Sequence, residues 1–568
     1  MIRRLLGVLP WFCLAVAWTW PTAIHPIAAT PGSAHTDVWE NLWTLWFVAT
    51  RLAHGQSPLR VDGLLDTVHG GSLWPADPLS AVILTPLTLL AGPTVSWSLL
   101  VVLHMTLRGW LGARIGALFA GSAGVAAGFG RDAAGWVCGA VLALSSMALA
   151  DVHNGASETL GDTWCLAVVA FALRYSPSRA RSASGGSGVS RGWVVGAGAL
   201  LALSAIAHWY GGVSAFLLWA ALGLRRREDP VASRIQRRSF LVAAVLGVTL
   251  ALPVAYEARA VSTAADNVVG IKDPAELARL RRNIGPADPE AYVLPAPFRS
   301  PDFTKISRYG EDYWHCPYLG WVAIGLSLAS LLPGARTRAR WPWAVIPASI
   351  ALSLGPVLTA GGSVVILSGR RAIPLPYFLI EKLPPFNALS LLWKLGWAAE
   401  VAVALLAGLG LARLLAGRGP RSAALITALV LPAIAAEARF MAPTRNLPDH
   451  VDATLPAPIL ALRDAPPGMV MTWPLIGGLP TLYEQIGHGK TIAASLNFPA
   501  SRGAWTVTRA VPKGAAATIA AAHETGIRYV VLHLTAPTNG DESGLQLGNW
   551  GDFPVLAADD RVRVLQLY

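Results

Sequence analysis

The chain has 568 residues, 54% of them hydrophobic and only 14% charged, with a mean hydropathy of +0.48, whereas a soluble globular chain carries about 25% charged residues. The formal charge of +12 does not indicate a nucleic-acid partner, because the arginines cluster in short loops between apolar runs, where the positive-inside rule puts them. Cys13, Cys138, Cys165 and Cys316 form no CxxC pair, so neither a disulfide framework nor a zinc site is indicated.

The apolar excess falls into runs of bilayer-spanning length, as repeated helical crossings require. A basic start, Met1 to Arg4, precedes the apolar Leu5 to Trp20, read as a first anchor rather than a cleaved signal because no persuasive cleavage site follows. An external loop covers 21–96. Within it Trp39, Leu42, Trp43, Trp46 and Phe47 recur at helical spacing, which predicts a helix lying along the membrane interface. Leu79 to Gly92 is read as re-entrant or interfacial, since a crossing there breaks the parity that the basic loops downstream support.

Spans follow at Trp97 to Gly116, closing on Arg108 and Arg114, then at Ala133 to Ala150 and Leu160 to Tyr175. The basic segments Ser176 to Arg191 and Arg225 to Ser239 are placed in the cytoplasm, with His208 to Gly212 as the outer turn of the hairpin between them. Phe240 to Tyr256, Tyr318 to Leu332, Trp343 to Leu354, Leu391 to Leu415 and Ala423 to Ala436 continue the alternation, for about eleven crossings in all. The membrane part is thus 1–440, with a cytoplasmic N-terminus. After it the texture changes to a small α/β domain, 441–568, on the extracytoplasmic side. There Gly468 to Leu475, Arg528 to Leu534 and Arg561 to Tyr568 read as strands, and Ala515 to Thr525 as a helix closed by Gly526.

Asp37 precedes the Trp-rich helix, at the membrane surface, where a carboxylate can act as a base on a lipid-borne substrate. The alternative is that Asp37 caps that helix, with Glu40 completing a capping-box-like pair. Asp151, His153, Asn154, Ser157 and Glu158 form a polar turn at the outer end of a helix pair. Ionisable groups near membrane depth are functional candidates, with a solvated loop as the alternative. A divalent cation held by Asp37 with Asp151 or Glu158 is chemically reasonable, since hard cations take carboxylates. His69 opens a Gly/Pro-punctuated turn, which is structural first. Lys394 heads a long apolar helix, where an ammonium either holds a lipid phosphate or snorkels to the headgroups.

These pieces, in this order, resemble the GT-C superfamily of membrane glycosyltransferases. Asp37 with the Trp39 to Phe47 helix and His69-Gly70-Gly71-Ser72-Leu73-Trp74 resemble the first external loop of bacterial members. His208-Trp209-Tyr210-Gly211 resembles their aromatic-Tyr-Gly turn. Tyr318-Leu319-Gly320, Leu354-Gly355-Pro356, Leu383-Pro384 and Leu405 to Leu411 match the late pattern, and Gln485 to Gly489 with Gly526 to Val531 resemble the extracytoplasmic tail. The resemblance implies a polytopic α-helical fold in the bacterial inner membrane and a hexosyltransferase-type enzyme. Its expected partners are a polyprenyl-phosphate-linked sugar, membrane lipids and an extracytoplasmic glycan, lipid or protein acceptor. It implies Asp37 as catalytic base, Asp151 or Glu158 as a second acidic position and Lys394 at the donor phosphate, with His69, His153, Asn154, His208 and Tyr210 lining the pocket. Where relatives often carry an Arg-Pro-Arg-like cluster, this chain has Leu391-Leu392-Trp393-Lys394, a single cation. A non-catalytic membrane scaffold and a transporter of lipid-linked glycans are the competing readings; the latter calls for charges in mid-helix.

Overall fold

The computed structural model describes residues 7–34, 36–66, 71–156, 161–174, 191–225, 230–265, 267–268, 278–279, 281–282, 285–295, 314–332, 340–361, 363–367, 371–384, 386–441, 449–474, 479–493, 502–534, 550–551 and 553–568. After α1 (Leu9–Trp18) and the short β1 (Thr30–Pro31), the outer loop folds as α2 (Val38–Ala53) and α3 (Pro78–Ala91). At 14 residues, α3 is about 21 Å long, short of the roughly 30 Å hydrocarbon core. Then come α4 (Pro93–Ser122), α5 (Phe129–Ala143), α6 (Ser146–His153), α7 (Gly161–Arg174), α8 (Arg191–Ala207), α9 (Trp209–Leu224) and α10 (Pro230–Ser262). The series continues with α11 (Trp321–Ala329), α12 (Trp341–Ser353), two small hairpins made of β2 (Thr359–Ala360) with β3 (Ser363–Val364) and β4 (Ile366–Leu367) with β5 (Arg371–Ala372), then α13 (Trp397–Leu414) and α14 (Pro420–Met441).

Among the described residues, four stretches are long and apolar enough to cross a membrane, and they divide by environment. In Phe129–His153 and Leu392–Leu414, 94% and 100% of the residues in the most apolar 18-residue stretch are buried, so they form the centre of the bundle; in Ser233–Ser262 and Pro420–Met441 the shares are 28% and 17%, and these helices turn their apolar surface outward. Several shorter apolar helices, among them Arg191–Ala207 and Trp209–Leu224, complete the shell.

Small residues let the central helices approach. A methyl group added at Gly408 would overlap the Ala134 carbonyl of α5, and one at Gly410 the Leu326 carbonyl of α11; without a hydrophobic force between helices in lipid, such close packing is a main source of association. Glu437 of α14 accepts from the main-chain N–H groups of Trp321 and Val322 at 2.5 and 3.1 Å, satisfying the open start of α11.

Arg108 marks the end of a span in the sequence reading, but it lies within α4 and is 2% exposed. Its guanidinium meets Glu400 of α13 at 2.8 Å and donates to the Leu142 carbonyl at 2.9 Å and the Ser145 hydroxyl at 3.1 Å. Those two groups flank the break between α5 and α6, so one arginine ties three helices together. Arg108 is a mid-helix charge of the kind a transporter calls for, here committed to Glu400 in the first turn of α13 as a structural tie.

The C-terminal part contains β6 (His450–Val451), α15 (Ala457–Ala461), β7 (Met469–Trp473), α16 (Leu479–His488), α17 (Arg502–Ala510), α18 (Ala515–Thr525), β8 (Ile527–His533), β9 (Val555–Ala558) and β10 (Val562–Gln566). Its four-stranded sheet has the order β7-β8-β10-β9, with β7 and β8 parallel and the other pairs antiparallel. β7, β8, β10 and the α18 helix fall where apolar patterning puts them, while β9 has no counterpart in the sequence reading; Gly526 closes α18 at φ +74°, the left-handed conformation glycine adopts without penalty.

The Trp-rich helix differs from expectation. In α2, Trp43 and Phe47 are fully buried, and the Trp43 indole donates to Gln485 of α16 at 2.8 Å. Trp39 meets the Tyr483 ring at 5.0 Å. The aromatic face is covered by the C-terminal domain rather than by lipid headgroups, a choice that helical periodicity alone cannot make. β1 also pairs with β6, and Ile492 exchanges main-chain bonds with Leu64 and Asp66, so the outer loop and the C-terminal domain fold as one layer.

Inside that domain His533 lies 2.6 Å from Glu484. Burial alone lowers the imidazole pKa, but the Glu484 carboxylate outweighs it and the net shift is upward. A raised folded-state pKa gives stability that is complete below the unfolded value and lost as pH rises through the folded one. The melting-temperature gap between wild type and Glu484→Gln in detergent is therefore expected to be largest near pH 6 and to shrink toward pH 9; a gap that is flat or widens with pH contradicts this. Gly410→Ala is expected to lower the melting temperature, with an overpacking cost of roughly 1–3 kcal/mol, whereas Gly325→Ala, a site with open space, leaves it within error.

Candidate functional site

The polar segment after the α5–α6 break is not a solvated loop. Ser145 caps α6, its hydroxyl accepting from the Ala148 N–H at 3.1 Å, and the helix carries Asp151 and His153 into its last turn, with Asn154 at its C-cap. All three are buried, Asp151 completely. Asn154 binds Trp314 from both sides: its amide donates to the Trp314 carbonyl at 3.0 Å, and its side-chain oxygen accepts from the Trp314 N–H at 2.8 Å. The His153 ring stacks on the Trp314 indole at 3.6 Å, and its Nδ1 lies 3.0 Å from the Asp449 carboxylate. Glu158 and His69 lie outside the described residues.

Lys394 sits on a 3-10 turn, Leu392–Gly396, that leads into α13. Snorkelling is ruled out by its burial: the side chain is 2% exposed and its Nζ lies 3.7 Å from Asp151 Oδ1. That separation is an ion pair rather than a direct hydrogen bond. Bare burial of an ammonium would be prohibitive, so the carboxylate on α6 is what permits this position. Neighbouring segments hold the turn in place. The Tyr210 hydroxyl accepts from the Ser390 and Leu391 N–H groups at 2.8 and 2.6 Å, and the Trp393 N–H donates to the Gly285 carbonyl at 2.8 Å. Arg281 donates to the Leu389 carbonyl at 3.0 Å and the Asn387 carbonyl at 2.5 Å. His208 packs its ring 5.6 Å from Trp397 and 4.9 Å from Tyr210, and His315 stacks on Trp393 at 5.1 Å.

Asp37 occupies the N-cap position of α2, yet its side chain makes no capping hydrogen bond; the capping alternative is not realised. Its position is fixed through the main chain. The Asp37 N–H donates to the Asn154 carbonyl at 3.1 Å and the Ser33 N–H to the His153 carbonyl at 2.8 Å, while the Asn41 amide donates to the Gly155 carbonyl at 2.7 Å. Gly155 permits this approach: at φ +63°, a methyl there would strike the Val38 main chain. The half-buried Asp37 is thus fastened to the residues that follow Asp151.

The structure therefore brings Asp37, Asp151, His153, Asn154, His208, Tyr210 and Lys394 to one end of the bundle, under the outer-loop and C-terminal layer. Chemically this end offers a half-buried carboxylate and a buried ammonium held by a second carboxylate. Among the described residues no group of three or more His, Cys, Asp or Glu is arranged to hold a metal, and Asp151 already faces a cation. Glu158, the other carboxylate considered beside Asp37 for a divalent cation, lies outside the described residues. Trp314, His315, Asp449 and Arg281 were missed in the sequence. A Trp-His pair inside a polar loop was a readable signal for the first two; Asp449 and Arg281 gave none.

No family model matches the sequence, and no curated protein matches it. Solved structures do. The oligosaccharyltransferase AglB from Archaeoglobus fulgidus, in complex with an inhibitory peptide and a dolichol-phosphate, is 12% identical with a TM-score of 0.50, over 93% of this chain and 69% of that one. The arabinofuranosyltransferase AftD from Mycobacteria is 14% identical with a TM-score of 0.54, over 100% of this chain but only 40% of its own length. At such identities the likeness is one of fold, and the chain is a polytopic membrane protein with the GT-C fold.

Proposed function

We propose that the chain is a membrane glycosyltransferase that moves a sugar from a polyprenyl-phosphate carrier to an acceptor at the outer face of a bacterial plasma membrane, with the N-terminus cytoplasmic and the domain from 441 onward extracytoplasmic. The observation that carries this reading is the buried Lys394–Asp151 pair beside the anchored Asp37 loop. It sets an ammonium and a carboxylate at the end of the bundle remote from the arginine-rich loops. The ammonium neutralises the phosphate that leaves the sugar, and Asp37 accepts the proton of the attacking hydroxyl. His153 and Asn154 orient the Asp37 loop, and Tyr210 and His208 orient the Lys394 turn. The dolichol-phosphate bound to AglB accords with a lipid phosphate as donor. Convergence of these groups on one end favours transfer over a scaffold role, in which they have no reason to meet.

Two experiments follow, using the full chain reconstituted in vesicles with a radiolabelled polyprenyl-phosphate sugar. Asp37→Asn is expected to lower transfer by about 10²–10⁴-fold with an unchanged melting temperature; unchanged turnover removes Asp37 from the reaction. Lys394→Gln strands a buried carboxylate and is expected to destabilise the protein by roughly 3–5 kcal/mol. Adding Asp151→Asn should recover the melting temperature without recovering transfer. If the double variant regains activity, the pair is structural and the donor phosphate is held elsewhere.

A further inference from the structure

At the end of the bundle opposite Lys394, α9 and α12 leave a groove between them. α9 starts beside the Lys394 turn, where Tyr210 binds it, and runs 16 residues, about 24 Å, to Arg225. α12 runs the other way: Ser353, at its last turn, accepts on its main-chain carbonyl from Ala287 near the site, and Trp341 begins it at the far end. The open groove between these far ends has a volume of about 340 Å³. Its walls are Leu217, Ala221 and Leu224 on one side and Trp341, Ala344 and Ala348 on the other, and every lining residue except Arg225 is apolar. Leu224, Ala344 and Ala348 are exposed, so the groove opens outward, toward lipid, rather than into the bundle.

An apolar space of this size does not hold water, and leaving it vacant forfeits dispersion contacts along both walls. In a bilayer its filling is hydrocarbon. The mouth adds a charge requirement. Arg225 closes α9 and Arg340 immediately precedes α12 and is exposed. Both sit in arginine-rich sequence, Arg225-Arg226-Arg227 and Arg336, Arg338, Arg340. Cations at the end of an apolar slot at the headgroup level match a lipid whose chain is apolar and whose head carries net negative charge.

We propose that this groove is a binding site for one anionic glycerophospholipid of the leaflet that borders the arginine-rich loops, with an acyl chain between α9 and α12 and the head-group phosphate at Arg225 and Arg340. The site is separate from the Lys394 end and does not depend on the reaction proposed for it. The lipid braces α9, whose other end carries the Tyr210 hydroxyl that holds the Lys394 turn.

The test is native mass spectrometry of the full chain, delipidated and then titrated with phosphatidylglycerol or with phosphatidylcholine of the same acyl chains. Wild type is expected to retain one phosphatidylglycerol in preference to phosphatidylcholine, and Arg225→Gln to reduce that preference by about fivefold. Ala344→Trp and Ala220→Trp fill the groove from opposite walls at outward-facing positions and are each expected to abolish retention. Val248→Trp, on the lipid-facing side of α10, should leave retention at the wild-type level. Equal retention of the two lipids by wild type overturns the anionic site, and wild-type retention by both groove-filling variants overturns its location.

Discussion

A charge buried among apolar helices must meet its counter-charge there, and two such meetings organise this protein. Lys394 faces Asp151 and Arg108 faces Glu400. Lys394 and Glu400 lie six positions apart on the turn and helix that form the centre of the bundle, while their partners come from α6 and α4. Removing either partner leaves an uncompensated charge at several kcal/mol. The α5–α6 break is therefore pinned on both sides: Arg108 bonds Leu142 and Ser145, and Asp151 sits less than two turns further on. The break is what turns Asp151 toward α13, and the ion pairs keep it there.

The second constraint is the layer made by the outer loop and the C-terminal domain. Asp37 makes no side-chain capping bond, and main-chain bonds to the end of α6 together with the grip of Gln485 and Tyr483 on α2 help to place it. His153 reaches Asp449 in the same layer. The candidate base is thus located by contacts that run from the membrane helices to the C-terminal domain, and loosening that domain would move the carboxylate relative to the ammonium.

The sequence made legible what local patterning encodes. The apolar runs, the β7, β8 and β10 strands and the αL stop at Gly526 each follow from periodicity or from one residue's backbone preference. It also singled out Asp37, Asp151 and Lys394 by charge in an apolar setting. What stayed hidden was determined by partners distant in the chain. A Trp-rich face looks the same whether headgroups or another domain cover it, so α2 was misassigned. Lys394 was equally suited to snorkel until Asp151, more than two hundred positions away, supplied the anion. For Asp151 to Asn154 a solvated loop stayed open as an alternative because Trp314, which packs on His153 and Asn154, lies beyond four more helices. Arg108 was taken for a boundary marker because positive charges usually lie at span ends, and nothing local announces Glu400.

The departure from an Arg-Pro-Arg-like cluster acquires a physical reading in this light. A lipid phosphate meeting Lys394 also meets Asp151, and the three charges together leave a net negative centre in a poor dielectric. Further positive potential comes from the backbone: the Lys394 turn runs into the start of the 18-residue α13, and although its first amides are engaged, the Trp397 N–H by the Lys394 carbonyl and the Ala399 N–H by the Ser349 hydroxyl, the aligned peptide dipoles keep that end positive. The only acidic residue in that first turn, Glu400, is neutralised by Arg108 and does not oppose it. On the proposed reading, the buried Arg108–Glu400 tie therefore serves the donor indirectly, by keeping the positive end of α13 unopposed where one lysine stands in place of several arginines.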